Sequence, residues 1–233
     1  MTVQGIKVTA SIVVGSTGGI GAALVQALQS TGRHGAVIGL GRTTAPPLDL
    51  LDETSIQAAI AALAGQEIRL VIDATGFLHN DRFAPERSWR QLDPAHMAHA
   101  FAINAIGPAL LMKHMLPALP RQGRVVFASL SARVGSIGDN RLGGWYSYRA
   151  SKAALNQLIR CAAIELTRAN RYSVCVAIHP GTVDTGLSGP FAKTGLDVQT
   201  PAEAADRIVK VLETLSPSES GGFFDQNGKE VAF

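Results

Sequence analysis

VTASIVVGSTGGIG, residues 8–21, opens on small and β-branched apolar residues and closes on a glycine turn in which Gly15, Gly19 and Gly21 form a G-x-x-x-G-x-G pattern. The run VTASIVVG, Val8 to Gly15, reads as a strand buried on both faces. Gly19 to Ser30 reads as the helix that follows, ended by Gly32. Glycines at a strand-to-helix turn permit a tight bend and let a pyrophosphate approach the backbone. The free N–H groups and dipole of the helix then favour the anion. An ordinary βα turn uses the same residues, so the pattern gains its weight from its place in the chain.

Outward from this unit, strand and helix alternate. AVIGLG (Ala36 to Gly41) is a second strand, and a short third strand after the Thr-Thr-Ala-Pro-Pro loop ends near Leu50. Ser55 to Ala64 is helical with Gly65 as its stop, and IRLVIDATG (Ile68 to Gly76) is the fourth strand. Phe77 to Asp93 reads as loop plus short helix, and Pro94 to Leu119 as a long helix bent near Pro108. RVVFAS (Arg124 to Ser129), a helix from Tyr146 to Asn170, YSVCVAIHPG (Tyr172 to Gly181), a helix from Ala202 to Leu215 and GGFFD (Gly221 to Asp225) complete the series. Near-continuous apolar strands need cover on both faces. The expected fold is therefore α/β: one domain over residues 1–233, a doubly wound, Rossmann-like parallel sheet of about seven strands with helices on both faces. Ligands of such sheets bind beyond the carboxyl ends of the strands, so the residues just after each strand carry the functional reading.

Composition narrows the class. With 46% hydrophobic and 17% charged residues the chain can bury a full core, and disorder is not expected. A net charge of +3 with scattered basic residues points away from nucleic acid. FAINAIGPALLMKHMLPALP is broken by Asn104, Lys113, His114 and three prolines, and reads as a buried helix rather than a membrane span. The start, MTVQGIKVTA, lacks an apolar run after a charge, so a cytoplasmic location is expected. Cys161 and Cys175 have no metal or redox spacing and read as buried free thiols. His96 and His99, three apart on a helix, lack a third ligand at sensible spacing and read as partly exposed helix histidines; no metal is expected.

GGWYSYRASK, Gly143 to Lys152, sets two tyrosines upstream of one lysine. Tyr148 lies four residues from Lys152 and shares its helix face, whereas Tyr146, six away, points elsewhere. A neighbouring ammonium and a positive nicotinamide ring would lower the phenol's pKa from ~10, so that it can exchange a proton with an alkoxide or alcohol. A surface Tyr and Lys have the same spacing. At the second strand's end, Arg42-Thr43-Thr44 stands where NAD-binding folds place an acid. A guanidinium there suits a 2′-phosphate, favouring NADP(H) over NAD(H).

Gly15/Gly19/Gly21, Tyr148-x-x-x-Lys152 and PGTVDT (Pro180 to Thr185), in this order, resemble the short-chain dehydrogenase/reductase family over essentially the whole chain. SARVGSIGDNRLGGWYSYRASKAALN is similar to the branch of C-factor-like proteins and Sniffer-type carbonyl reductases. The resemblance implies Tyr148 as acid/base and Lys152 as the group that tunes it and holds the nicotinamide ribose. It implies Asn104, in FAINAIGP, as support for a water-linked proton relay. Cofactor contacts are implied for Gly15, Ser16, Thr17, Gly19, Ile20 and Gly21, for Arg42 and Thr43, and for Asp49 and Leu50 at the adenine. Ala74, Thr75 and Gly76, Tyr148 and Lys152, and Pro180, Gly181, Val183 and Thr185 at the nicotinamide complete the set. A plain surface Asp competes for Asp49.

Two departures stand out. The family's Asn-Asn-Ala-Gly after the fourth strand is Asp73-Ala74-Thr75-Gly76 here, so the bonds that brace the sheet must differ. The Ser-Ser pair, whose second member donates to the substrate oxygen, is replaced by Ala128-Ser129-Leu130-Ser131-Ala132. Alignment on Gly135 puts Ser131 first and Ala132 second; alignment on the strand start puts Leu130 second. Ser131 is taken as the active-site serine, with Ser129 behind it. Trp145, Phe191, Leu187 and Val134 fall on loops above the site and are candidates for an apolar pocket, and His179 reads as structural. The implied activity is an NADP(H)-dependent exchange of a carbonyl and an alcohol on a small substrate. The irregular serine region leaves a dinucleotide-binding regulatory or signalling protein as the alternative. Pairing through the two long helices would give a homodimer or homotetramer.

Overall fold

In the computed structural model, residues 9–187 and 198–233 are described. Six parallel strands form one sheet: β1 (Thr9–Val14), β2 (Ala36–Leu40), β3 (Glu67–Asp73), β4 (Val125–Leu130), β5 (Ser173–His179) and, counting past two short strands, β8 (Phe223–Asp225). Their order is β2-β1-β3-β4-β5-β8; the short strands β6 (Thr182–Val183) and β7 (Val198–Gln199) pair with each other. The chain leaves β1 toward β2, then returns across β1 to lay down β3 on its other side. This reversal is the topological switch point of a doubly wound sheet, and the glycine turn after β1 and the Asp73 turn after β3 flank it.

Strand alternation sorts the core into two layers. Ile12, Val14, Phe127, Cys175 and Ala177 face one side, and Val13, Ile72, Val126, Ala128 and Ile178 the other. Against the first side pack α2 (Glu53–Ala61), α4 (Gly107–Met115) and α5 (Tyr146–Ala169), through Ile56, Leu111, Met115, Leu155 and Ile159. Against the second pack α1 (Gly19–Thr31) and α6 (Pro201–Thr214), through Leu24, Leu28, Ile208 and Val211. Several helix termini carry the local chemistry that sets them. Gly32, at φ 63°, closes α1, Asp52 caps α2, and Thr200 with Glu203 forms a capping box on α6.

The expected third strand ending near Leu50 is absent. Pro46 and Pro47 remove two backbone donors, and Leu48 and Leu50 instead reach the core from a loop. The long helix expected from Pro94 is α3 (Pro94–Phe101), a π-helical turn (Ala102–Ile106) and α4 in continuous succession. The irregularity is the π turn, which carries Asn104 and ends two residues before Pro108 in the continuous helix. The segment Pro94–Ala118 is long and apolar enough to cross a membrane by length and composition, but Leu111, Met112 and Met115 are buried against the sheet. Cys161 is exposed on α5, not buried as expected; Cys175 is buried.

Candidate active site

The site forms beyond the carboxyl ends of β1, β3, β4 and β5. After β1, Gly15 and Ser16 both donate their N–H to Leu40 O, at 2.8 and 3.1 Å, tying the glycine turn to β2. Gly21 packs so tightly under the turn that a Cβ there would lie 2.0 Å from Gly15 O, and a Cβ at Gly19 would lie 2.8 Å from Thr185 Cγ2. Gly18, the N-cap of α1, offers no side chain to the helix's open N–H groups. A bare helix start under an exposed glycine turn is a cradle for a phosphate group, and Thr185 places the loop after β5 at its edge. Arg42 and Thr43 are exposed just past β2. Asp49 is half-buried, and its Oδ1 accepts the N–H of Leu51 at 3.0 Å; Leu50 is buried against Gly107.

After β3, Asp73 is fully buried and takes the bracing role that the departure from Asn-Asn-Ala-Gly left open. Its Oδ1 accepts from Thr75 N (3.1 Å) and Thr75 Oγ1 (2.6 Å), and its Oδ2 from Ser129 Oγ (2.6 Å). Ala74 N donates to Val14 O at 2.8 Å, so the ends of β1, β3 and β4 are tied together. Asn104 clasps the next turn: Oδ1 accepts Phe77 N–H (2.7 Å), while Nδ2 donates to Phe77 O (2.8 Å) and Ser151 Oγ (3.0 Å).

Tyr148 and Lys152 come from the first two turns of α5 and are both buried. Lys152 Nζ donates to Leu130 O at 2.8 Å and lies 3.6 Å from the point where a side chain on Gly76 would begin. Gly76 is exposed, so this is the cleft side of the ammonium. Burial pushes the Lys152 pKa down to about 8, against the pull of the Asp73 carboxylate. Burial also raises the Tyr148 phenol above its ordinary value. The expected lowering of that phenol is thus not a property of the chain by itself: the site is dry, and the ammonium is directed at a carbonyl.

The serine question has a geometric answer. Residues 129 and 131 share one face of the strand's end, turned toward the α4/α5 layer. Ser129 is held by Asp73, and Ser131 Oγ donates to Asn156 Oδ1 on α5 at 2.6 Å, both residues buried. Ser131 does not direct its proton to the cleft. Ala132 is the residue that packs on Tyr148, together with Leu78 and the partly buried Val134, Trp145 and Leu187. Gly135 enforces this placement, because a Cβ there would sit 2.8 Å from Lys152 Cβ, so the turn Arg133–Gly135 lies directly on α5. Val134, Trp145 and Leu187 therefore do gather at the tyrosine; Phe191 lies outside the described residues.

Beyond β5, Pro180 and Gly181 lead into β6, where Val183 is buried and Thr185 reaches Gly19. Gln199 Nε2 donates to Pro180 O at 2.6 Å. His179 is held neutral by burial, its pKa pushed down to about 4, and its buried Nδ1 has no hydrogen-bond partner among the described residues. His96 is not the exposed helix histidine expected: it is buried, with Nδ1 3.3 Å from Glu86 Oε1. Nothing in the sequence pattern marks Glu86, one of three acids in the stretch of mixed polarity from Phe77 to Asp93. The only available signal is that it follows Pro85 in a loop otherwise rich in arginine.

Fold and site together place a buried tyrosine and a buried lysine, one turn apart on α5, at the carboxyl ends of a doubly wound α/β sheet. The family model described as enoyl-(acyl carrier protein) reductase matches residues 14–213, and the chain belongs to the short-chain dehydrogenase/reductase family. Among curated relatives, the C-signal of Myxococcus xanthus is 42% identical over 142 residues, 60% of this chain and 80% of that protein. The 1-hydroxy-2-glutathionyl-2-methyl-3-butene dehydrogenase of Rhodococcus sp. is 32% identical over 190 residues, 81% of this chain and 79% of that protein. Among solved structures, the NADPH-bound carbonyl reductase from chicken fatty liver superposes with a TM-score of 0.83 at 28% identity, covering 98% of this chain and all of that one. Carbonyl reductase Sniffer of D. melanogaster has a TM-score of 0.81 at 21% identity over 98% of this chain and all of that one, a likeness of fold.

Proposed function

We propose that this chain uses NADPH to reduce a small carbonyl compound, with Tyr148 supplying the proton. The observation that carries the reading is that Tyr148 and Lys152 are both buried one turn apart on α5, with the ammonium 3.6 Å from where a side chain on exposed Gly76 would begin. When bound, a nicotinamide dinucleotide supplies the hydride. The chain's residues do the rest. The bare start of α1 receives the pyrophosphate, and Arg42 pairs with a 2′-phosphate. The turn from Pro180 to Thr185, with Val183 buried behind it, lies where the nicotinamide end must rest. Tyr148, whose phenol pKa burial raises above its ordinary value, carries the proton for a forming alkoxide. Lys152 holds positive charge behind it, and Asn104 fixes the Gly76–Phe77 backbone at the cleft wall. The chicken carbonyl reductase bound to NADPH and the Rhodococcus dehydrogenase of a hydroxy compound support this chemistry.

Cofactor choice is tested at Arg42. Oxidation of NADPH and NADH with a panel of aldehydes, ketones and quinones should give kcat/KM at least about tenfold higher for NADPH. Arg42→Glu should reverse that preference, since a carboxylate repels a phosphate and accepts from a ribose hydroxyl. An unchanged ratio would remove Arg42 from the reading.

One observation favours a second reading, a dinucleotide-binding regulatory protein of low turnover. The Ser131 hydroxyl is committed to Asn156 and a methyl, that of Ala132, faces Tyr148, so the substrate oxygen lacks the hydroxyl donor that the family pattern provides. The name of the Myxococcus relative, C-signal, is in keeping with it. Ala132→Ser should raise kcat by about 10²–10³-fold, the scale of one oxyanion donor regained. A wild type at background turnover that still binds NADPH, and is awakened by Ala132→Ser, would establish the second reading. No gain in the variant would show that another group already polarises the oxygen.

A further inference from the structure

We infer that Glu86 is a positioning residue for Tyr148, acting through the first turn of α5. Tyr148 is the third residue of that helix, in the turn whose N–H groups have no intrahelical partner. A short polar side chain at the N-cap would normally hold this turn. Here the N-cap is Trp145, at φ 52°, and its side chain makes no capping bond. A carboxylate from another segment does the work instead. Ser147 N–H, the donor an N-cap side chain would ordinarily take, lies 3.3 and 3.2 Å from Glu86 Oε1 and Oε2. Ser147 Oγ donates to Glu86 Oε1 as well. The backbone joins the clamp, since Trp145 N donates to Glu86 O at 2.5 Å.

Glu86 is itself held in place. It is 2% exposed, and His96 Nδ1 stands 3.3 Å from Oε1. The His96 ring stacks on Phe83, centroids 4.9 Å apart and planes within 6°. The same ring meets the edge of Phe77, whose backbone Asn104 clasps. A continuous set of packed and bonded groups thus runs from Asn104 through Phe77, His96 and Glu86 to Ser147, next to Tyr148. A buried acid at a helix start is also the sign of charge that the helix dipole favours. The anchor falls on Ser147, the residue that precedes the proton donor.

The inference rests on the reading of Tyr148 as acid, and the experiment separates the two. Glu86→Ala, Glu86→Asp and Glu86→Gln are compared with Tyr148→Phe for kcat, KM, NADPH affinity and melting temperature. Glu86→Ala should lower kcat by about 10–100-fold with NADPH affinity within about twofold, because a displacement near 1 Å at the reacting group is costly. Glu86→Asp, which keeps the charge but draws the carboxylate back by one methylene, should lose nearly as much. Glu86→Gln, whose amide oxygen can still accept from Ser147, should recover kcat to within about threefold of wild type. If Glu86→Ala does not fold, the Asp and Gln variants decide. Wild-type kcat in Glu86→Asp, or loss in Glu86→Gln equal to that in Glu86→Asp, overturns the inference. Wild-type turnover in Tyr148→Phe overturns the underlying reading instead.

Discussion

Replacing Tyr148 by phenylalanine is expected to lower kcat for carbonyl reduction by about 10³-fold while NADPH affinity stays within about twofold. The substitution removes one hydroxyl and leaves the ring that packs on Leu78 and Ala132. Among the described residues that hydroxyl has no hydrogen-bond partner, so the fold loses little. The loss should therefore appear in kcat and not in cofactor binding, the pattern of a group that acts in the transition state. Steady-state NADPH oxidation together with a fluorescence titration of NADPH checks both halves. Turnover in the variant equal to wild type would place the proton donor elsewhere.

Lys152→Met should give the second large effect, with opposite signs in activity and stability. Activity should fall by about 10²-fold or more, since no cation remains behind the phenol. Stability of the cofactor-free protein at pH 7 should rise by roughly 1–2 kcal/mol. Burial takes the ammonium from 10.5 to about 8, a cost on the order of 3 kcal/mol at neutral pH, partly offset by the lost bond to Leu130 O. The pH dependence follows from linkage. The folded-state pKa is depressed, so between pH 8 and 10.5 the unfolded chain holds a proton that the folded chain has released. The wild type therefore gains stability relative to the variant across that window, and the gap closes toward its top. Referring each measurement to the variant cancels the other groups that titrate there, Cys175 among them, whose thiol burial pushes up to about 12. Urea midpoints of the two proteins from pH 7 to 10.5 would show the convergence. A gap independent of pH would mean that the ammonium is not desolvated in the native state.

The legible parts of this molecule were those governed by local chemistry. The strand before Gly15, the glycine turn, the helix that joins Tyr148 to Lys152 and the strand before Pro180 all follow from apolar runs, turn residues and helical spacing. Failures occurred where tertiary packing overrode the pattern. Leu48 and Leu50 have the alternation of a strand, yet two prolines leave them without a ladder, and they are buried from a loop. His96 has the spacing of a surface helix residue, but Phe83, Phe77 and Glu86 converge on it from a stretch without periodicity. The serines show the limit most directly. Spacing allowed Ser131 or Ser129, and only the partners Asn156 and Asp73, distant in sequence, reveal that both hydroxyls are spent on bracing. Glu86 was invisible for the same reason: a capping group normally adjacent to its helix is supplied here from 61 residues upstream.

The proposed role of Tyr148 requires that a phenol kept neutral by burial become titratable once cofactor charge joins Lys152. Its most direct test is the tyrosinate absorbance of wild type minus Tyr148→Phe, followed from pH 6 to 11 with and without saturating NADP+. Without the dinucleotide the difference signal should stay flat across this range, and with NADP+ a tyrosinate transition should appear within it, because positive charge beside the phenol favours its ionised form. A Tyr148 that keeps its proton throughout this range in the NADP+ complex would contradict that role.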